Sequence, residues 1–517
     1  MIELKRALNN NRVLVDGVLI SAIIFTCFGA LLNAEFIVYD DGFYINDIVK
    51  GGLNRDSILW SLTSTSLGNW HPLTWLSHVL SVEIFGDWAG GHHLVNILLH
   101  LANSLLVYSL VFRLGCSANQ SLTIALLFAV HPTHVESVAW IAERKDVLCL
   151  FFWLLGLHSF LRFRKSKHVA GKYQSFVYFI AGLMCKPMIV TYPFTLVLID
   201  YWLAVKKRHS LNREWLRESL GLLWIYFPPI LAISLLTLAT QDASGAIAGH
   251  SFFSNLLSAT ANYLRYLVHF IYPTKLSVLY PYEETSFALA AASLVLICFL
   301  LTAVWRQRNR KPYILFGLSW YLITLFPVSG IVSIGTHLIA DRYLYIPSIG
   351  LIFCAVLLIG SYLSSLRAVQ GVIAGVTIAV FSLQTAAYVQ TWENSASLFS
   401  YSIAHTGKNP VLEYNSGIYY RSVGEYEKAI THFSNYLIAG IQPQVAINEL
   451  AIAYDLDGQT DIAIKLLKAG LHDYPDDPKM ITNLRYLTNR ESTPQPHMER
   501  SHGADRISGR ADRAGQM

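Results

Sequence analysis

The sequence predicts an all-α protein: a polytopic bundle of membrane helices followed by a small domain of helical repeats. The first observation is composition, since 53% of the 517 residues are hydrophobic and only 14% are charged, with a mean hydropathy of +0.40. Soluble proteins carry about a quarter charged residues. The second observation is a series of long apolar runs, and the third is a change near residue 390 to a repeating, more polar pattern.

Eleven apolar runs reach or approach the length of about 17–25 residues that a membrane helix needs. The first run follows Lys5, Arg6 and Arg12 and has no small-residue cleavage site after it, so we expect an uncleaved first helix rather than a signal peptide. The predicted spans are 13–32, 92–112, 121–140, 147–163, 174–186, 187–204, 217–240, 287–305, 313–334, 347–365 and 370–389.

Basic residues predict the orientation of these spans, because short cytoplasmic loops are enriched in Lys and Arg. Their distribution places the amino terminus in the cytoplasm and puts the loops 33–91 and 241–286 outside, together with everything after about residue 390. The stretch 255–272 is predicted to lie at the membrane interface, with one further span there as the alternative. The predicted cytoplasmic basic groups lie at 5–12, 113, 162–172, 206–213, 306–311 and 367.

The sequence after residue 390 repeats with a shift of 34 residues, the period of tetratricopeptide (TPR) units. Small residues stand where paired helices would touch, and Pro475 closes the second unit. We predict a TPR domain over 391–490, with two clear units and a partial third, and a disordered tail over 491–517. The repeating positions Gly417, Tyr420, Gly424, Tyr426, Ala429 and Phe433 recur as Ala451, Tyr454, Gly458, Thr460, Ala463 and Leu467.

Polar residues in the first third of the chain fall in short blocks near the ends of the predicted spans. The first block, 39–42, places the adjacent carboxylates of Asp40 and Asp41 just beyond the first apolar run. Ionisable groups at a membrane are costly unless they are paired or functional, so this pair predicts a site at the outer surface. The further blocks are 69–74, 91–96, 131–136, 143–146 and 186–187.

These blocks, in this order and followed by TPR units, resemble the transmembrane and tetratricopeptide-repeat-containing (TMTC) family of O-mannosyltransferases, most strongly over residues 36–203. That family is similar to the GT-C class of membrane glycosyltransferases. The resemblance implies a GT-C-like membrane domain over 1–390, a polyprenyl-phosphate sugar as donor and inversion at the anomeric carbon. It also implies an essential acidic motif in the first extracytoplasmic loop, matched here by Asp40 and Asp41. The chain has two or three repeats, whereas eukaryotic members have longer arrays.

Transfer of a sugar from a polyprenyl phosphate needs a base for the acceptor hydroxyl and stabilisation of the departing phosphate. We predict Asp40 as the general base and Asp41 as the residue that positions the acceptor or the sugar, with the reverse order left open. The structural alternative is a helix start, because Asp is common at an N-cap and in a first helical turn.

Cations on the predicted outer side are the candidates for binding the donor phosphate. Arg144 and Arg342 are favoured because a planar guanidinium matches phosphate oxygens, and Lys186 is the third candidate. Each has a structural alternative: Arg144 has acidic neighbours, Arg342 follows Asp341, and Lys186 can extend to the membrane interface.

Other polar residues of the blocks are candidates for binding the sugar or the acceptor, although a buried histidine often only bonds to a neighbouring helix. The spacing of His131, His134 and Glu136 permits a metal ion, yet the segment opens with His-Pro rather than lying within a helix. A divalent ion at Asp40 and Asp41 is a further alternative. We predict no metal and no required cofactor besides the lipid-linked donor. The sugar-binding candidates are His71, His93, His131, His134, Glu136, Glu143 and Tyr343.

Several other classes of protein fit the sequence less well. It has no basic patch interleaved with aromatic residues that would predict nucleic-acid binding, and its six single cysteines predict neither a zinc site nor a disulfide framework. A flippase or transporter would show repeats within the membrane half, and a scaffold would leave the acidic pair unexplained. We predict an integral membrane glycosyltransferase that acts outside the cytoplasm on a protein Ser or Thr bound by the repeats. A glycan or lipid acceptor is the alternative.

Overall fold

A computed structural model of the protein describes residues 2–166, 168–207, 212–243, 251–331 and 338–491. The regular elements in these ranges are helices, and the same ranges contain no β-strand. The predicted all-α class is therefore confirmed. The chain divides into two compact units, with the boundary after Asn394.

The first unit opens with a long helix, which is followed by short helices in the predicted outer loop. Its earlier α-helices are α1 (Ile2–Phe28), α2 (Asp41–Tyr44), α3 (Asp47–Lys50), α4 (Arg55–Thr63), α5 (Pro72–Phe85), α6 (Ala89–Arg113), α7 (Ala118–Ala129), α8 (Val135–Ala139) and α9 (Arg144–Ser166). Its later ones are α10 (Ala170–Leu183), α11 (Tyr192–Lys206), α12 (Arg213–Gly221), α13 (Phe227–Ala243), α14 (Phe252–Ile271), α15 (Phe287–Gln307), α16 (Pro312–Leu325), α17 (Ser348–Tyr362) and α18 (Arg367–Gln390).

Seven helical segments in the described part of the chain are long and apolar enough to cross a membrane. An eighth is counted if α7 and the segment Pro132–Ala139, which meet at 53°, form one bent span. The protein is thus a helical membrane protein, as predicted. The seven segments are Asn11–Asn33, Ala89–Arg113, Ile141–Ser166, Pro187–Lys206, Arg213–Ala243, Phe287–Gln307 and Arg367–Gln390.

The predicted count of eleven spans is not confirmed, and breaks within the apolar runs explain part of the difference. Pro132 interrupts the predicted span 121–140, because proline lacks a backbone donor and clashes with the preceding helical turn. Helix α16 likewise ends at Leu325, just before Pro327. Helix α10 has only 14 residues. The stretch 255–272 lies almost wholly in α14, and its depth relative to the membrane stays a prediction.

Helix α9 organises the part of the first unit that contains the candidate site. It packs against α6 and α10, and α6 packs in turn against α1 and α7. On the buried face of α6, Asn96 Nδ2 donates to the carbonyl of Val138 at 3.2 Å, and Asn103 Nδ2 donates to that of Val147 at 2.8 Å. These bonds fix the chain that leads into α9 against α6.

The second unit, described up to residue 491, consists of helices that pack consecutively against one another. Gly417 lies so close to Phe433 that a Cβ there would come within 2.6 Å of the ring. The assignment to the TPR class stays a prediction, and all but the first residue of the predicted tail lies outside the described residues. The helices are α19 (Ser395–Thr406), α20 (Pro410–Ser422), α21 (Tyr426–Ala439), α22 (Pro443–Leu456), α23 (Thr460–Asp473) and α24 (Pro478–Glu491).

Candidate active site

The two adjacent aspartates have different surroundings. Asp41 is fully buried at the start of α2, where its Oδ2 accepts from Ile37 N and its Oδ1 from Ala142 N, both at 2.9 Å. Burial raises the pKa of Asp41 to about 7, and the two backbone donors act against that rise. Both carboxylate oxygens are thus engaged in holding the loop before α2 against the chain that leads into α9.

Asp40 precedes α2 and is half-buried. Its carbonyl accepts from Phe43 N at 2.9 Å, whereas its carboxylate has no hydrogen-bond partner among the described residues. Burial raises the pKa of this carboxyl group, and Lys145 and Arg342 lower it. Asp40 is therefore the carboxylate of the pair that remains available, and it lies within the electrostatic reach of two cations.

A group of alternating charges lies beside Asp40 and is centred on Glu143. Glu143 Oε1 lies 3.0 Å from Lys145 Nζ and 3.4 Å from Arg342 Nε, and its Oε2 lies 3.4 Å from Lys186 Nζ. Two further acids pair with two of these cations. We call this group the charge cluster; its members are Glu136, Glu143, Lys145, Asp146, Lys186 and Arg342.

The other two acids of the charge cluster, Glu136 and Asp146, are each held by more than one contact. Glu136 pairs with the Arg342 guanidinium and also accepts from Arg342 N at 2.9 Å. Asp146 pairs with Lys186 and accepts from Ser137 Oγ at 3.1 Å. Burial would lower the pKa of Arg342, but Glu136 and Glu143 raise it well above its ordinary value. Arg342 therefore carries its charge throughout the physiological pH range.

Within the charge cluster, the basic side chains are more exposed than the acidic ones. The side chains of Lys145, Lys186 and Arg342 keep 16%, 13% and 12% of their surface exposed. The carboxylates of Glu136, Glu143 and Asp146 keep between 0% and 4%. The accessible face of the cluster is therefore positive, above a buried layer of acids.

Aromatic rings border this positive face. Lys145 Nζ lies 3.1 Å from Tyr44 Oη, and Lys186 Nζ lies 5.5 Å from the centre of the Tyr343 ring. Arg342 lies 5.1 Å from the same ring and 5.4 Å from the ring of Trp140. A cation above an aromatic face is stabilised by the ring quadrupole, so these rings hold the cations in place.

Arg144 does not join the charge cluster, contrary to its predicted role in phosphate binding. Its guanidinium is fully buried and donates to Asn96 Oδ1 at 2.9 Å, Ser77 O at 3.0 Å and His92 O at 2.9 Å, and also to Ser81 Oγ. These bonds occupy four of its five donors. Arg144 joins α5 and α6 to the start of α9, and the neighbouring Lys145 lies beside Asp40 instead.

His71 and His93, both predicted sugar-binding residues, are buried. His71 lies at the start of α5, with its ring centre 5.7 Å from that of Tyr44, and its Nε2 has no partner among the described residues. Burial and then Lys145 lower the pKa of His71 to about 3, so its ring is neutral. His93 Nε2 lies 3.5 Å from Glu35 O. His71 thus borders the site, whereas His93 contacts the backbone before the acidic pair.

The other two histidines predicted to bind the sugar, His131 and His134, instead form hydrogen bonds to neighbouring segments. Such bonding was the alternative to sugar binding for a buried histidine. His131 Nε2 donates to Phe270 O at 3.1 Å, and its other ring nitrogen lies 2.9 Å from Thr133 Oγ1. His134 Nδ1 donates to Phe128 O at 2.8 Å, and its Nε2 lies 2.9 Å from Ser348 Oγ. Within the described residues no group of three His, Cys, Asp or Glu side chains is arranged to hold a metal ion.

Three residues at the site are not among those predicted from the sequence: Tyr44, Lys145 and Asp146. Lys145 and Asp146 belong to the block 143–146, so the block itself was a usable signal. Tyr44 lies four positions after Asp40 in a short helix, and no pattern in the sequence indicates its contact with Lys145.

The fold and the site define a multi-pass helical membrane protein with a buried, charged centre near one end of α9. Residues 72–233 match the family model described as dolichyl-phosphate-mannose-protein mannosyltransferase. This stretch includes five members of the charge cluster, from Glu136 to Lys186, but neither Asp40 nor Arg342.

Known proteins of the TMTC group are similar to this chain. Protein O-mannosyl-transferase TMTC4 of Homo sapiens is 24% identical over 489 residues, which cover 80% of this chain and 65% of that protein. TMTC1 of Homo sapiens is 24% identical over 82% of this chain and 55% of its own length. Tmtc1 of Drosophila melanogaster is 32% identical over 37% of this chain and 23% of its own. The chain therefore spans less than two thirds of these relatives.

These comparisons confirm the predicted resemblance: the chain is TMTC-like. They support a membrane glycosyltransferase, because the family model and the relatives carry mannosyltransferase names.

Proposed function

We propose that this protein transfers a sugar from a polyprenyl-phosphate donor to an acceptor hydroxyl at the extracytoplasmic face of a membrane. The observation that carries the proposal is the Asp40 carboxylate, which has no hydrogen-bond partner among the described residues and lies beside a positive face. The names of the relatives favour mannose as the sugar and a protein Ser or Thr as the acceptor. The helix pairs of the second unit would bind the acceptor as an extended peptide.

Asp40 would act as the general base. As the acceptor oxygen forms its bond to the anomeric carbon, the bond from that carbon to the phosphate oxygen breaks, and the hydroxyl proton passes to Asp40. A carboxylate held by two backbone donors is poorly placed for this step, which is why Asp40 is favoured over Asp41. Displacement from the side opposite the phosphate inverts the anomeric configuration.

The positive face of the charge cluster would bind the donor phosphate. The electron pair of the broken bond leaves on that phosphate, and cations fixed before the reaction stabilise the charge without reorganising. Lys145, Lys186 and Arg342 are the least buried members of the cluster, and their buried acids hold them in place. No metal is required in this scheme, because three cations face the leaving group.

The neutral ring of His71 and the aromatic rings beside it would contact the sugar. The free Nε2 of His71 lies near Tyr44 and within the electrostatic influence of Lys145, where a sugar hydroxyl would supply its missing partner. Asp41 would hold the loop that carries Asp40, rather than contact the acceptor.

The experiment is a transfer assay with purified full-length protein in lipid, labelled polyprenyl-phosphate mannose and either peptide, glycan or lipid acceptors. Asp40→Asn should lower turnover by about 10²–10⁴-fold, the usual contribution of a general base. The matched control is Asp47→Asn, an exposed acid of the same loop outside the charge cluster, which should retain full activity.

The outcomes separate the alternatives. Equal turnover by the native chain and Asp40→Asn would remove this residue from the mechanism. Movement of the donor lipid between leaflets without transfer to any acceptor would favour a flippase instead.

A further inference from the structure

A second charged region lies at the opposite end of α9 from the charge cluster. A cavity of about 560 Å³ opens there among the ends of α6, α9 and α10. Lys145 and Lys165 are 20 positions apart on α9, which corresponds to roughly 30 Å along the helix. The cavity is therefore about one membrane thickness away from the candidate active site. Its lining residues are Arg113, Leu161, Arg162, Lys165, Ser166, His168, Ala170, Gly171 and Gln174.

The described lining of the cavity contains two arginines, one lysine and no acid. Arg113, Arg162 and Lys165 form no ion pair with any carboxylate in the described part of the chain. Their neighbour Arg164, by contrast, lies 2.6 Å from Asp200. The enrichment of cations at cytoplasmic helix ends explains why basic residues occur here. It does not explain why three of them surround one cavity with no compensating carboxylate among the described residues.

Hydrogen bonds orient two of these cations at the cavity. Arg162 Nη2 donates to Gln174 Oε1 at 3.1 Å, which links α9 to α10 across the opening. Lys165 Nζ donates to Arg113 O at 3.0 Å, the last residue of α6. Each of these side chains retains further donors, because an ammonium has three and a guanidinium five. The cavity thus offers several oriented N–H groups to an anion.

The wall of the cavity is a close contact between two helices. Gly171 lies so near α9 that a Cβ there would stand 2.7 Å from Ser159 O and 2.9 Å from Phe163 N. The next turns of α10 carry Tyr173 and Val177, which are 62% and 63% exposed and lie four positions apart on one face. An exposed apolar face therefore begins next to the basic opening.

We propose that this cavity binds the headgroup of an anionic membrane lipid, with its phosphate between Arg113, Arg162 and Lys165 and its acyl chains along the exposed face of α10. A lipid is favoured over a soluble anion because basic and apolar surfaces adjoin at the end of two membrane spans. Basic pockets between membrane helices are known to bind phosphate headgroups in this way. The inference does not depend on the proposed transfer reaction.

Lipid retention by the purified full-length protein tests this proposal. The protein in neutral detergent is mixed with equal amounts of phosphatidylglycerol and phosphatidylcholine, and the lipid that remains after size-exclusion chromatography is quantified by mass spectrometry. The variant Arg113→Gln, Arg162→Gln, Lys165→Gln should lose the preference for phosphatidylglycerol, by about five-fold for each cation removed. The matched control removes three arginines outside the cavity: Arg306→Gln, Arg308→Gln, Arg310→Gln.

Retention of phosphatidylglycerol by the triple variant at the native level would overturn the proposal. So would displacement of the lipid by millimolar inorganic phosphate, since that result would assign the cavity to a soluble anion. If the triple variant does not fold, Arg113→Gln alone decides the question, because the Arg113 side chain makes no hydrogen bond within the described residues. Its retention should fall about five-fold, and an unchanged value would exclude the site.

Discussion

The two ends of α9 carry similar numbers of basic residues but organise them differently. At the first end, Lys145 belongs to a cluster in which three cations match three buried acids. At the last end, Arg162 and Lys165 are exposed and have no acidic partner among the described residues. Pairing permits charge to be buried, whereas unpaired charge must remain at the surface.

This difference indicates different tasks. A buried, paired cluster keeps its cations at fixed positions, as a charge-separating reaction requires. An unpaired, exposed set adds a net positive field and suits attraction to an anionic surface.

Replacement of Arg342 should be the most damaging change for stability. Arg342→Gln leaves the fully buried Glu136 without its cation, and loss of one partner of a buried pair costs about 3–5 kcal/mol. The measurement is the free energy of unfolding in mixed micelles. The exposed counterpart, Arg113→Gln, should change that free energy by less than about 0.5 kcal/mol.

The double variant Glu136→Gln, Arg342→Gln sharpens this test. Because it removes both charges, much of the lost stability should return. A double variant as unstable as Arg342→Gln would mean that the unpaired charge of Glu136 is not what destabilises Arg342→Gln. The proposed energetic difference between the two ends of α9 would then be wrong.

Replacement of Asp41 should have an intermediate effect on stability. Asp41→Asn keeps one oxygen for one backbone N–H but turns an amide donor toward the other, and an unpaired buried group costs about 1–3 kcal/mol. Thermal and denaturant unfolding measure the loss, with Asp47→Asn as the exposed control. Native stability in Asp41→Asn would contradict the assignment of Asp41 as the residue that holds the loop.

Replacement of Lys145 should shift the pH dependence of transfer. Burial raises the pKa of Asp40 and Lys145 lowers it, so Lys145→Gln should raise that pKa further. Because the base acts in its ionised form, the acidic limb of kcat/KM should move to higher pH in this variant. If the acidic limb of kcat/KM stays in place or moves to lower pH in Lys145→Gln, a group other than Asp40 controls that limb. Arg113→Gln serves as the distant control and should leave the limb unchanged.

Much of the fold could be predicted from apolar run lengths, because each long run forms its helix from local contacts. The bent segment around Pro132 and the early end of α16 show the limit of that reasoning. Run length measures how apolar a stretch is, but a proline within it changes where the helix ends. Apolar run length therefore predicts the class of fold but not the residues at which the helices end.

The site could be predicted only in part for a similar reason. Asp40, Glu143, Lys186 and Arg342 were selected from their blocks, and the structure brings them together. The sequence does not show that Lys145, rather than Arg144, lies beside Asp40. Adjacent residues on a helix point about 100° apart, and only the packing of α9 decides which of the two faces Asp40. The histidine His131 bonds to Phe270, 139 positions away, which no local pattern indicates.

The contact between Asp41 Oδ1 and Ala142 N joins positions 101 residues apart in the sequence. During biosynthesis, the first acidic loop emerges long before this partner exists. A nascent chain that ends before Ile141 would carry Asp40 without its neighbouring lysine and without the anchor of its loop. The order of translation thus delays anchoring of this loop until the chain that leads into α9 has been made, and completion of the charge cluster until Arg342 follows.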